Sequence, residues 1–206
     1  MVTHGIPGRP GEARSALRAA VRALAGCLAA GIVVGMVVGG VGSRLAMRIT
    51  GAVNPDVRGS FTENGNVVGD ITLGGTLALV VFVGALFGVA AGLLVFLVRR
   101  WLPASEPWRG LTLGVILLAL LARPAVFDPE NVDFRLLPPA GLSVALFGTL
   151  FLVAGLVLAP LAARLGPGVP GMLRRGDVTV MGAVVLAGAT AFGLARLGVA
   201  LAELLG

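Results

Sequence analysis

The feature that most limits what this chain can fold into is an apolar run from about Ala23 to Val41. Arg18 and Arg22 bracket it on one side, Arg44 and Arg48 on the other. Crossing a hydrocarbon core takes about 20 residues at about 1.5 Å each. Lipid offers no hydrogen-bond partner to bare backbone, so a run of this kind has to be helical. Including it, five segments reach or approach that length, at about 23–42, 75–98, 110–127, 142–163 and 178–200. Composition agrees: 13% of the residues are charged and 57% hydrophobic, where soluble domains carry about 25% charged residues. The expectation is an all-α integral membrane bundle, a single domain over 16–206 behind a flexible tail, residues 1–15, rich in glycine and proline.

The third segment is the short one, because Arg123 and Pro124 cut its cleanly apolar part to Leu111 through Ala122. An arginine near a span end can snorkel to the interface, which favours five transmembrane helices over a four-span alternative. With the N-terminus cytoplasmic, five spans place Arg9, Arg14, Arg18, Arg22, Arg99, Arg100, Arg109, Arg164, Arg174 and Arg175 inside. Arg44, Arg48, Arg58, Arg123, Arg135 and Arg196 then fall outside or at the outer edge, a ratio of ten to six. That follows the positive-inside rule, but four spans give the same ratio. Because the arginines flank apolar runs, orientation explains the +6 charge and a nucleic-acid partner is not expected. All sixteen basic residues are arginine, with lysine and tyrosine absent, as coding bias in a GC-rich genome produces. The expected location is a bacterial plasma (inner) membrane. Leu24-Ala25-Gly26-Cys27 has the form of a lipoprotein cleavage box. Its apolar run follows the cysteine where a signal would precede it, so an uncleaved helix is expected.

Glycines repeat every four residues at Gly31, Gly35 and Gly39, and again at Gly84, Gly88 and Gly92. Such a face lets another backbone approach closely, in a glycine-zipper manner. The two sets can meet each other, or each can meet a second copy in a homo-oligomer. Gly141, Gly148 and Gly155 repeat at seven, a weaker form of the same pattern.

The span centres carry no Asp or Glu, against a proton- or cation-coupled transporter. One His, one Cys and no HExxH leave no zinc site of the usual ligands, and neither a GxSxG elbow nor a phosphate loop is present. No metal and no cofactor is expected. Charged groups gather instead toward the outer loops. Arg44, Arg48, Glu63 and Asp70 belong to the first, Arg123, Asp128, Asp133 and Arg135 to the second, and Arg196 approaches from the last span. Arg44 and Arg48 share a face if the first helix continues past Gly42. In "FTENGNVVGDIT", Asn64-Gly65 suits a two-residue β-hairpin turn, giving a small folded cap. Asp128, Glu130 and Asp133 offer oxygen to a hard cation, although pairing with Arg123 or Arg135 explains them as well. Trp101 and Trp108 read as interfacial anchors.

The strings "GSRLAMR", "GSFTENGNVVGDITLGGT" and "NVDFRLLPP" resemble a group of multi-pass membrane proteins of GC-rich bacteria to which no activity is assigned. The resemblance implies membrane location and no mechanism. Three functions fit. The first is a binding or accessory subunit whose outer Arg/carboxylate cluster meets anionic lipid or a membrane protein partner. The second is a channel or carrier for a small anion or lipid. The third is an enzyme on a lipid-linked substrate with Glu63 or Asp133 as general base.

Overall fold

The structure is a computed structural model that describes residues 10–54, 59, 73–127, 140–166 and 176–205. Among the described residues all regular structure is helical. Helix α1 is continuous through Pro10–Val34, a π-helical segment Gly35–Val41, and Gly42–Val53. Helix α2 is built the same way from Leu73–Ala78, a π segment Leu79–Gly84, and Ala85–Val98. Helices α3 (Trp108–Ala125), α4 (Ala140–Leu165) and α5 (Gly176–Leu205) follow. Four of the five, all but the 18-residue α3, contain a stretch long and apolar enough to cross a bilayer.

Two boundaries differ from the sequence expectation. Helix α1 starts at Pro10, inside the expected tail, because a proline in the first turn gives up only an N–H that has no helical partner. It also runs on through Arg44 and Arg48 to Val53, so the first loop is confined between Val53 and Leu73. Asn54 ends the helix in an extended conformation, as the residue before a proline prefers. The expected β-hairpin at Asn64-Gly65 lies outside the described residues.

The glycine contacts set the helix directions. A Cβ on Gly31 would stand 2.7 Å from the Cα of Gly92, and one on Gly35 2.6 Å from the Cα of Gly88. In return, a Cβ on Gly88 would stand 2.7 Å from the Cα of Ile32. Positions rising along α1 therefore meet positions falling along α2, and the pair is antiparallel with its backbones touching. Gly26 against Leu165 and Gly42 against Leu150 make α4 antiparallel to α1. A Cβ on Gly110 would stand 2.8 Å from the Cα of Leu156, and one on Gly114 2.8 Å from the Cα of Leu152, which makes α3 antiparallel to α4. Gly155 closes that second seam on Gly110 and Gly114, whereas Gly141 and Gly148 have no neighbour within 4 Å. Helix α5 lies along α3 through Gly193 on Ala119 and buries Leu197 and Ala200.

Large apolar side chains cover the outside. Val33, Val37, Val41, Leu45 and Ile49 form one exposed stripe down α1, and Phe82 on α2 is 74% exposed. A soluble monomer rarely leaves such continuous apolar surface bare. Against lipid tails it is the ordinary outer surface of a multi-pass membrane bundle.

The third glycine of the first set is displaced. Gly39 has no neighbour within 4 Å, and Gly40 takes the contact, where a Cβ would stand 2.7 Å from the Cα of Val80. The π segment accounts for this, since its i→i+5 bonding holds an extra residue per turn and delays the next facing position. The expected outcome is that Gly35→Ala lowers thermal stability in detergent by several degrees. Gly39→Ala should leave it unchanged or raise it slightly, since alanine favours helix by about 1 kcal/mol.

Candidate functional site

Among the described residues three polar side chains are buried: Arg44 at 8% exposed, and Thr50 and Ser143 at 0%. All three lie at one end of the bundle. Counting along the helices from the Gly114–Leu152 and Gly42–Leu150 contacts, Ser143 on α4 is level with Arg123 on α3 and with Ile49 on α1. Counting from Gly193–Ala119 brings Arg196 on α5 to the same level. Arg48 is there too, exposed, while Arg44 sits about 7 Å deeper by the helical rise.

The burial of Arg44 follows from helix geometry. On an uninterrupted α-helix the nine positions from Gly35 to Arg44 make about two and a half turns, which would point Arg44 away from the glycine seam and into lipid. The wider turns of Gly35–Val41 delay that rotation, and the arginine arrives inside. It makes interactions of its own there, as does Ser143. Thr50 donates its hydroxyl to the Ala46 carbonyl at 2.7 Å, and Ser43 donates to the Gly40 carbonyl at 2.9 Å. Both hydroxyl oxygens keep acceptor capacity toward a guanidinium.

Arg123 is half-buried in the last turn of α3. After Pro124 the chain folds back, with the backbone N–H groups of Val126 and Phe127 both donating to the Ala122 carbonyl at 2.9 Å. Phe127 is buried and closes the bundle there. Arg196 is exposed, its guanidinium carbon 5.8 Å from the centre of the Phe192 ring. Glu63, Asp70, Asp128, Asp133 and Arg135 lie outside the described residues. The fold thus brings four of the nine expected residues, Arg44, Arg48, Arg123 and Arg196, to one end. It adds Thr50 and Ser143, which sequence reasoning missed because an isolated hydroxyl in an apolar run carries no spacing signal. Guanidinium groups in this setting can take an anion, a carboxylate or a phosphate, through paired hydrogen bonds.

The opposite end is also basic and is tied together differently. Arg99 donates from Nη1 to the Gly166 carbonyl at 3.3 Å and stands 5.0 Å from the Phe96 ring centre. The Arg100 guanidinium stacks 3.9 Å above the Trp101 ring, which is half-buried against Gly182. Trp101 is therefore a packing residue between α2 and α5 as well as an anchor. Arg109 gathers the connection between α2 and α3, donating from Nε to the Pro103 carbonyl at 3.0 Å and from Nη2 to the Ala104 carbonyl at 2.8 Å.

No protein family, curated protein or solved structure matches this chain.

Deletion of Gly39 tests the phase argument. Removing one residue from the π segment lets it close as α-helix while the helix beyond keeps its orientation. The shortened protein is expected to stay monodisperse, with Arg44→Cys in a Cys27→Ala background still shielded from an impermeant maleimide. Deleting Ala29 instead rotates everything beyond it by about 100°, and aggregation on size exclusion is the expected result.

Proposed function

We propose that the chain is a five-span protein of a bacterial plasma membrane, with its N-terminus cytoplasmic, that acts as a binding or accessory subunit through the end holding Arg44, Arg48, Arg123 and Arg196. The observation that carries this reading is the segregation of buried polar side chains: among the described residues Arg44, Thr50 and Ser143 share one end, and the rest of the buried core is apolar. Leu113, Leu117 and Leu158 fill its centre, and Phe87 packs edge-on against Phe151 at 5.3 Å between ring centres. A bundle with a dry centre and a basic end is suited to holding an anionic group at its surface. An open pore would need a polar path instead.

Crossing by α3 is supported by its place in the packing. It is flanked by α4 and α5 and buries Leu113, Ile116, Leu117, Ala119 and Ala122. The N-in orientation is supported by Arg14, Arg18 and Arg22 at the start of α1. In this reading the carboxylates of the two outer loops modulate the arginine cluster, and the ligand is an anionic lipid headgroup or an acidic segment of a membrane partner. The resemblance to multi-pass proteins of GC-rich bacteria is consistent with it.

Topology is the first test. A reporter fused after Gly206 is expected to read extracytoplasmic, and a cytoplasmic signal would remove the five-span arrangement. Ligand class is the second. In native mass spectrometry of protein taken from phosphatidylglycerol-containing membranes, Arg48→Ala with Arg123→Ala is expected to lower retained anionic lipid or acidic partner by about tenfold. Unchanged retention in a folded double variant would end the proposal.

A further inference from the structure

The connection between α2 and α3 is held at two different depths. Arg99 is tied to the Gly166 carbonyl at the very end of α4, whereas Gly110 in the first turns of α3 lies on Leu156. Ten positions of α4 separate those contacts, about 15 Å along its axis. The 18 residues of α3 therefore cover only the part of α4 farther from the Arg22 end. The segment 99–107 climbs from the bundle's end into its depth.

Irregular backbone at that depth is tolerated only where protein covers it or water reaches it. Here Ala104, Ser105, Glu106 and Pro107 are exposed, and Arg109 is 31% exposed beside Glu106 at 50%. An arginine facing hydrocarbon at the bilayer centre costs about 2.5–3.5 kcal/mol, which favours water as the neighbour of these groups. We propose that the space beneath α3 is a water-filled recess opening at the Arg22 end, in which Arg109 binds a phosphoryl-type anion. This step rests on the membrane reading above.

The guanidinium of Arg109 is built for a ligand in that recess. Its Nε and Nη2 are fixed by the Pro103 and Ala104 carbonyls, so the group cannot swing. The remaining nitrogen, Nη1, meets Glu106 Oε1 only loosely, at 3.5 Å. A fixed fork with one weakly held anionic partner is preorganised to exchange that partner. The anion, a free phosphate or a lipid headgroup phosphate, takes the place of Glu106 on Arg109.

The chain's two tryptophans flank the site, Trp101 half-buried and Trp108 62% exposed. Their fluorescence reports it directly. Full-length protein in phosphatidylcholine nanodiscs is titrated with inorganic phosphate. A saturable change is expected, tightened about threefold in Glu106→Gln, where the competing charge is gone, and weakened about tenfold in Arg109→Lys, which lacks the fork. If phosphate is silent but phosphatidylglycerol in the discs produces the same Arg109-dependent change, the anion is a headgroup and the site stands. No Arg109-dependent change from either source, in wild type and in the folded Glu106→Gln protein, overturns it. The recess has its own test: Ser105→Cys in a Cys27→Ala background is expected to react with an impermeant maleimide from the Arg22 side of intact vesicles. Reaction only after detergent overturns the recess while leaving the membrane reading intact. Release of the protein by carbonate would overturn the membrane reading instead.

Discussion

The backbone contact between α1 and α2 is the constraint on which the rest of the bundle depends. Inside lipid the hydrophobic effect does not drive helices together, so association rests on van der Waals contact and on the polar groups that helices share. Gly31, Gly35, Gly84, Gly88 and Gly92 supply that contact by removing the Cβ atoms that would hold the chains apart. The seam brings the π segments Gly35–Val41 and Leu79–Gly84 against each other. π turns are rare, and here they occur as a facing pair. Their consequence is rotational: the stretch beyond Gly42 is turned so that Leu45 and Ile49 face outward and Arg44 faces inward. Packing at mid-helix thus decides which side chains reach the polar end.

Much of the architecture could be read from the order of residues, for a physical reason. A charge-free run of about 20 residues has few alternatives to a helix in lipid, and each expected span coincides with a helix in the structure. Arg44 and Arg48 were also placed together at one helix end. What could not be read is phase and depth. Nothing in "GMVVGGV" distinguishes a π turn from an α turn, so Gly39 looked like the third facing glycine when Gly40 is. The seam of Gly110, Gly114 and Gly155 had a visible signal in "GLTLG", but the heptad of Gly141, Gly148 and Gly155 drew attention from it.

Depth was hidden for a different reason. Segment lengths alone put Trp108 and Arg109 at the membrane surface, since the apolar run begins just after them. The actual level of α3 is set by which residues of α4 its glycines touch, a tertiary fact without a local sequence signature. A short helix with an arginine near each end can meet both surfaces only if the membrane thins, or it can sit toward one surface and leave space at the other. The contact of Gly110 with Leu156 sets α3 alongside the part of α4 farther from Gly166.

The two ends of the bundle therefore solve the same problem, charge close to lipid, in opposite ways. At one end Arg44 is enclosed by helices, with the hydroxyls of Thr50 and Ser143 among the buried groups. At the other end Arg109 is not enclosed: the Pro103 and Ala104 carbonyls accept from two of its nitrogens, and the third meets Glu106 at 3.5 Å. An enclosed arginine is rigid and hard to exchange between partners; a half-exposed one on a fixed mount exchanges readily. Between them the described core is apolar, without a polar side chain to carry a solute from one end to the other. Any coupling of the two ends has to pass through movement of the helices themselves.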